Sequence, residues 1–200
     1  MHNLEPFYNW RDYYIAENDP KSPFFEREYS EFTFSDRIYD HYIHPQWDDI
    51  DSPTLYLKIL YTDYIKGFSI IELIGEWNDA VYNDVMTLKR DIIDHLQEEN
   101  ISQFILIGEN ILNIHTSDDC YYEEWYEDIQ HQNGWICLLN FREHILKEMD
   151  DIGLNCFLHY PAHLQEFYWR KYKPLELFNI ISKELNNKES IDFQEYTLIN

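Results

Sequence analysis

The sequence predicts an α/β protein: a mixed sheet with a parallel centre, opened by an N-terminal antiparallel hairpin and covered by helices on its faces. Three observations carry that expectation. From Leu55 onward, short strand-like runs alternate with stretches whose apolar residues recur at helical spacing, the order that makes parallel strands joined by right-handed crossovers. The first two runs, Leu55 to Tyr61 and Phe68 to Trp77, are separated only by Thr62 to Gly67, a turn-length segment holding Asp63 and Gly67, so they form a hairpin. Later runs such as Phe104-Ile105-Leu106-Ile107 lack polar alternation, as expected of strands buried on both faces.

Each element follows in turn. Residues 1–54 form an arm rich in Trp10, Tyr13, Tyr14, Phe24, Phe25 and Trp47, broken by Pro6, Pro20, Pro23 and Pro45. Glu31-Phe32-Thr33-Phe34-Ser35 alternates as a short strand, and Asn18 to Pro23 reads as a turn. Such aromatic area supplies what disordered segments lack, so the arm should be ordered and packed on the core. After the hairpin, Val81, Val85, Leu88, Ile92 and Leu96 make one apolar stripe, predicting a helix over about 79–99. Asn78 or Asp79 caps its start and Asn100 its end. Phe104 to Ile107 is a strand, and Gly108 to Asp119 a polar connection.

The second half continues the alternation. Cys120 to Gln132 is a very acidic helix with Tyr122, Trp125, Tyr126 and Ile129 on one face, stopped by Asn133-Gly134. Trp135 to Leu139 is the next buried strand. Asn140 with Glu143 resembles a capping box before a short helix striped by Ile145, Met149 and Ile152 and stopped by Gly153. Leu154 to Leu158 reads as a last strand, and Pro174 opens a helix carrying Leu175, Phe178, Ile181 and Leu185. The chain is thereby divided into the arm, 1–54, an α/β domain, 55–187, and a weakly patterned tail, 188–200.

That order over about residues 68–158 resembles the STAS domain, the fold of bacterial anti-sigma factor antagonists. Ile74-Gly75-Glu76-Trp77-Asn78-Asp79 looks like the family's Gly-containing turn into its first long helix, and Trp135 to Gly153 like its later strand, Asn-containing turn and short helix. The resemblance implies a non-enzymatic regulator that binds protein and is phosphorylated on a serine after the central strand. Thr116 or Ser117 would hold that position, although the family's preceding Asp and following Gly are absent from Ile114-His115-Thr116-Ser117-Asp118-Asp119.

Composition narrows the classes. Fifteen Lys and Arg face 38 Asp and Glu, a net charge of −23, which repels phosphate backbones and anionic lipid and so argues against nucleic-acid or membrane-surface binding. No apolar run approaches the roughly 20 residues of a membrane span. The first residues lack a signal peptide's basic and apolar regions. Three cysteines, Cys120, Cys137 and Cys156, have no metal-like spacing and suit a reducing cytoplasm. Cys137 and Cys156 fall in expected buried strands, and Cys120 is dulled by acidic neighbours. Five unclustered glycines exclude a phosphate-binding loop, and no nucleophile elbow is present.

Three groups remain as candidate sites. His115 with Asp118 or Asp119 has the donor chemistry for a divalent cation, the basis of an alternative reading as a metal-dependent hydrolase using the His115–Glu124 segment. The plainer reading is a solvated loop whose Asp118 or Asp119 caps the acidic helix. Asp40-His41-Tyr42-Ile43-His44, with Asp48 and Asp49, offers a metal site or a general base in His41, against packing with hydrogen-bonded polar tips. Tyr121, Tyr122, Trp125 and Tyr126 exceed what one helix face buries, which points to a protein partner, a second copy included, or to cover by the arm. The basic group Arg170-Lys171-Lys173 should serve the acidic surface within the chain or its assembly. The expected function is therefore a cytoplasmic, non-enzymatic regulatory or protein-interaction protein without a cofactor.

Overall fold

The computed structural model describes residues 4–30, 32–34, 36–38 and 41–198. The chain forms two compact units, Met1–Phe167 and Tyr168–Asn200. In the first, the arm is ordered by its aromatic residues rather than by regular structure. Trp10, Ala16, Phe24, Trp47 and Ile50 are buried. The Trp47 indole donates to the Leu4 carbonyl at 2.8 Å, and the Phe7 amide donates to the Glu72 carboxylate at 2.8 Å. The arm's strands are short: β1 (Arg37–Ile38) pairs antiparallel with β2 (His41–Tyr42), and β3 (Asp48–Asp49) joins the main sheet. Phe32 to Phe34, expected in a strand, are irregular, and Phe32 is exposed. Glu31 and Ser35 lie outside the described residues.

The hairpin forms as its sequence requires. β4 (Leu55–Asp63) and β5 (Phe68–Asn78) pair antiparallel across Gly67, whose positive φ of 74° suits glycine. Asn78 then caps the chain's turn into helix, accepting from the Val81 amide at 3.0 Å. The helix expected over 79–99 is interrupted. α1 (Asp79–Tyr82) ends at Asn83, left-handed at φ 56°, and α2 (Asp84–Thr87) restarts on a new axis. A wider, five-residue-step turn follows at Leu88–Ile93, then α3 (Asp94–Glu98). Val85, Leu88, Ile92, Ile93 and Leu96 are buried, but Val81 is 70% exposed because it stands before the break.

β6 (Gln103–His115) is 13 residues long, and its pairing with β5 runs parallel from Phe68↔Gln103 to Asn78↔His115. Gly108 to His115, expected as a loop, is therefore strand. Glycine and asparagine obscured it, yet Ile111 and Ile114 continue the buried face. α4 (Cys120–Gln130) crosses to β7 (Trp135–Leu139), parallel to the first half of β6. The sheet order is β3-β4-β5-β6-β7, antiparallel as far as β5 and parallel beyond it.

α5 (Glu143–Asp151) starts from Arg142 without a side-chain cap. Asn140, expected in a capping box, instead takes φ 58° and bonds the Phe167 backbone in both directions, at 2.9 and 2.8 Å. Leu154 to Leu158 is not a strand. Leu154–Cys156 is a single tight turn, and the sheet gains only one parallel bridge, Cys137↔His159. Cys156 is accordingly exposed, while Cys137 is buried.

In the second unit Pro174 opens α6 (Pro174–Leu198), and Phe178, Ile181 and Leu185 are buried there. Residues 188–198, expected as a tail, continue the helix because no glycine or proline stops it. Arg170 and Lys171 lie over the rings of their neighbours Trp169 and Tyr172, at 4.6 and 4.8 Å.

One apolar core joins arm, sheet and helices: Phe24 and Ile50 share it with Leu57, Leu73, Trp77, Leu106 and Trp125. Each large side chain buried there contributes on the order of 2 kcal/mol. Deleting residues 1–54 should therefore expose a broad apolar surface and cause aggregation. A soluble 55–200 fragment with an unchanged melting temperature would show that the arm is dispensable.

Candidate functional site

β5 and β6 end together, and their carboxyl ends gather the chain's densest polar group. Parallel sheets place their sites at this edge because every strand delivers its following loop there. At its base lies Asp79, 4% exposed, just past the end of β5. Its Oδ1 accepts from the Trp77 indole at 2.9 Å and from the Val85 amide at 2.8 Å, and its Oδ2 from the Tyr122 hydroxyl at 2.6 Å. Burial pushes its carboxyl up to about 6 against the opposing pull of those donors, with the nearby charge of Asp84 adding to the rise. Asp84 is buried too, and desolvation raises it; its Oδ2 accepts from the Asn78 amide at 2.7 Å. Tyr122 is raised by burial first and by Asp79 second.

Above this base stands the segment the sequence singled out. His115 closes β6 with its Nε2 3.2 Å from the Glu76 carboxylate and 3.2 Å from the Asn113 amide. Thr116 is half-buried, its amide and hydroxyl both donating to Glu148 on α5, at 3.2 and 3.4 Å. Ser117 is exposed. Asp118 accepts from the Cys120 amide at 3.2 Å, and its carboxyl is lowered by bonds from the Cys120 thiol and amide. The same contact pushes the Cys120 thiol up. Asp119 occupies the cap position of α4 without a side-chain bond. His115 and Asp118 thus make separate contacts, and no three His, Cys, Asp or Glu among the described residues are placed to hold a metal ion.

The aromatic helix divides sharply. Tyr122 and Trp125 are wholly buried, stacked on Trp77 and edge-on to Phe104, so their rings present no surface. The core of the same chain, rather than the arm alone, covers them. Tyr121 and Tyr126 are half-buried, beneath the Arg90 guanidinium and against Phe157. Glu124 takes that guanidinium in a two-bond fork at 2.5 and 2.7 Å.

The second sequence cluster does not converge. His44 accepts from the Gln46 amide and sits 3.5 Å from Glu5, and Asp49 accepts from the Asp51 amide. Asp48 is buried with Lys58 at 3.3 Å, Tyr29 and Arg27, raised by desolvation. Asp40 lies outside the described residues.

Sequence reasoning missed two features of the edge. Asp84 escaped notice because a carboxylate on an expected helix surface looks solvated. Val81 and Tyr82, 70% and 46% exposed on α1, escaped because helical spacing put Val81 inside. The one available signal was Asn83, a residue that tolerates the left-handed region.

Fold and edge define an α/β protein with a half-parallel sheet and a carboxyl-edge crest of acidic and exposed apolar groups. No family model matches the chain, and no curated protein matches it in sequence. Solved structures that align with it include the Bacillus cell fate determinant SpoIIAA in its phosphorylated form, 15% identical, TM-score 0.39, over 53% of this chain and 91% of that one. The anti-sigma factor antagonist SpoIIAA in its unphosphorylated form aligns at 13% identity and TM-score 0.39, over 53% and 87%. A putative anti-sigma factor antagonist from Thermotoga maritima does so at 15% and 0.39, over 53% and 85%.

Asp79 sets a pH dependence. Its folded carboxyl titrates near 6 and an unfolded one near 4, so the proton binds the folded state more tightly. The resulting stabilisation is complete below about pH 4 and is lost as pH rises through about 6. Asp79→Asn can keep Oδ1 for Trp77 and Val85 while its amide donates to Tyr122. Chemical denaturation at about pH 4.5 and 7.5 should show wild type gaining about 2 kcal/mol on acidification relative to that variant. Parallel curves for the two proteins would refute the assignment.

Proposed function

We propose that this chain is a non-enzymatic, cytoplasmic regulatory protein that binds a basic protein partner through the carboxyl edge of its sheet. One observation carries the reading: Val81 and Tyr82 stand exposed at the edge where β6 delivers the exposed acidic run Ser117, Asp118 and Asp119. An apolar anchor rimmed by like charges matches a partner whose own apolar spot is ringed by Lys and Arg. A second copy of the chain is the poorer fit, because both rims would be negative in a protein of charge −23. Three free cysteines support a reducing compartment. The metal-hydrolase alternative draws no support from His115, Asp118 and Asp119, which do not gather into a metal-holding group.

Within this edge Ser117 is the hydroxyl a kinase would reach, since Thr116 is held by Glu148. A phosphate there would add roughly −1.5 to −2 charge beside Asp118 and Asp119 and push the segment off its path, switching the surface.

Capture from native cells should retain one basic protein on wild type and on Ile65→Asp, which alters a fully exposed residue at the far end of the hairpin. Val81→Asp and Tyr82→Ala should each lose it, and about 0.5 M salt should release it from wild type. Retention by the Val81→Asp protein, with folding verified by circular dichroism, would overturn the reading. Intact-mass measurement of native protein should show one phosphate that disappears in Ser117→Ala and persists in Thr116→Ala. Uniformly unmodified protein across growth conditions would remove the switch.

A further inference from the structure

A cavity of about 220 Å³ lies between the β1–β2 ladder and the ends of β5 and β6, on the arm side of the sheet. Ile38 and Ile43 from the arm and Ile74 from β5 give it apolar walls, and all three are buried. Gly75 lets these layers meet: a Cβ there would come within 2.4 Å of Ile38 and 2.1 Å of the Thr54 carbonyl. The polar lining is His41, Tyr42, Asn110 and Arg142. Among the described residues no Asp or Glu lines the cavity, although 38 of the chain's 200 residues are acidic.

Arg142 is the unusual member. Other guanidinium groups have partners within the chain: Arg90 forks onto Glu124, Arg27 lies 3.6 Å from Asp48, Arg11 donates to the Gln46 side chain and Arg37 to the Tyr42 hydroxyl. Arg142 is exposed at the start of α5, and its guanidinium has no hydrogen bond or ion pair with any described residue. A planar donor fork with no partner among the described residues, beside an apolar chamber with no described carboxylate in its lining, makes a local positive spot in a strongly negative protein. Such a fork matches the two oxygens of a carboxylate.

We propose that this cavity binds a small organic monocarboxylate, its hydrocarbon body between Ile38, Ile43 and Ile74 and its carboxylate on Arg142. Volume sets the size. A dry cavity of roughly 150 Å³ accepts benzene, so this one takes about six to eight carbons. Each added methylene should raise affinity about fourfold until the chamber is full, after which longer chains lose it. The general repulsion of anions by the protein opposes binding and weakens with salt, whereas the Arg142 contact supplies the selectivity.

The test is a titration of the full-length protein with hexanoate and with hexanol, followed by methyl NMR of the isoleucines. Hexanoate should shift Ile38, Ile43 and Ile74 saturably and bind about tenfold more tightly than hexanol. Arg142→Gln, a change at an exposed position, should weaken hexanoate at least about fivefold and leave hexanol unchanged. Absence of saturable shifts at these residues up to about 10 mM ligand would overturn the site. Equal hexanoate binding by the Arg142→Gln protein would overturn the carboxylate assignment.

Discussion

The buried carboxylate of Asp79 is the joint on which the rest of this structure turns. It receives a proton donor from the end of β5, one from the start of α2 and one from the first turn of α4. Three elements, α4 among them from some forty residues away, are thereby fixed around one residue, at the point where the sheet hands the chain to its helices. A carboxylate so buried is costly unless its oxygens are satisfied, and its satisfaction demands that Trp77, Val85 and Tyr122 sit where they do. The left-handed turn at Asn83 follows from the same demand. It brings the Val85 amide back to Asp79 and leaves Val81 and Tyr82 facing solvent.

Scarce positive charge is spent on similar joints. Lys89 is wholly buried yet reaches Asp94 and Asp128, tying the helical segment before α3 to α4, and Lys58 ties β4 to Asp48 and Glu17 of the arm. In a chain with 23 excess negative charges, these lysines screen carboxylates that would otherwise repel one another inside the fold. Removing one partner of such a pair leaves a charge poorly solvated, so these contacts set which elements lie together. Arg142, by contrast, pairs with no described carboxylate.

The carboxyl edge combines a rigid floor with an exposed crest. Below, Asp79, Asp84 and Tyr122 are locked by hydrogen bonds within the chain; above, Ser117 to Asp119 and the Val81–Tyr82 pair meet water. The polar groups at depth are aimed at one another.

Much of the architecture was legible in the residues themselves. The hairpin, the buried stripe from Val85 to Leu96, the strand at Trp135–Leu139 and the stops at Asn100, Asn133 and Gly153, all at positive φ, were written in local periodicity and backbone preference. These signals concern a residue and its near neighbours, so they survive without knowledge of the fold. What the sequence left undetermined were the matters of pairing in space. Gly108 to His115 became strand because β5 offered a free edge along that length, and Leu154 to Leu158 did not because only one bridge to β7 could form. Val81 turned outward because Asp79 drew the next helix onto a new axis. Burial of an apolar residue and pairing of a strand depend on which partner stands opposite, and that partner was chosen by contacts some forty residues away, such as Tyr122 with Asp79.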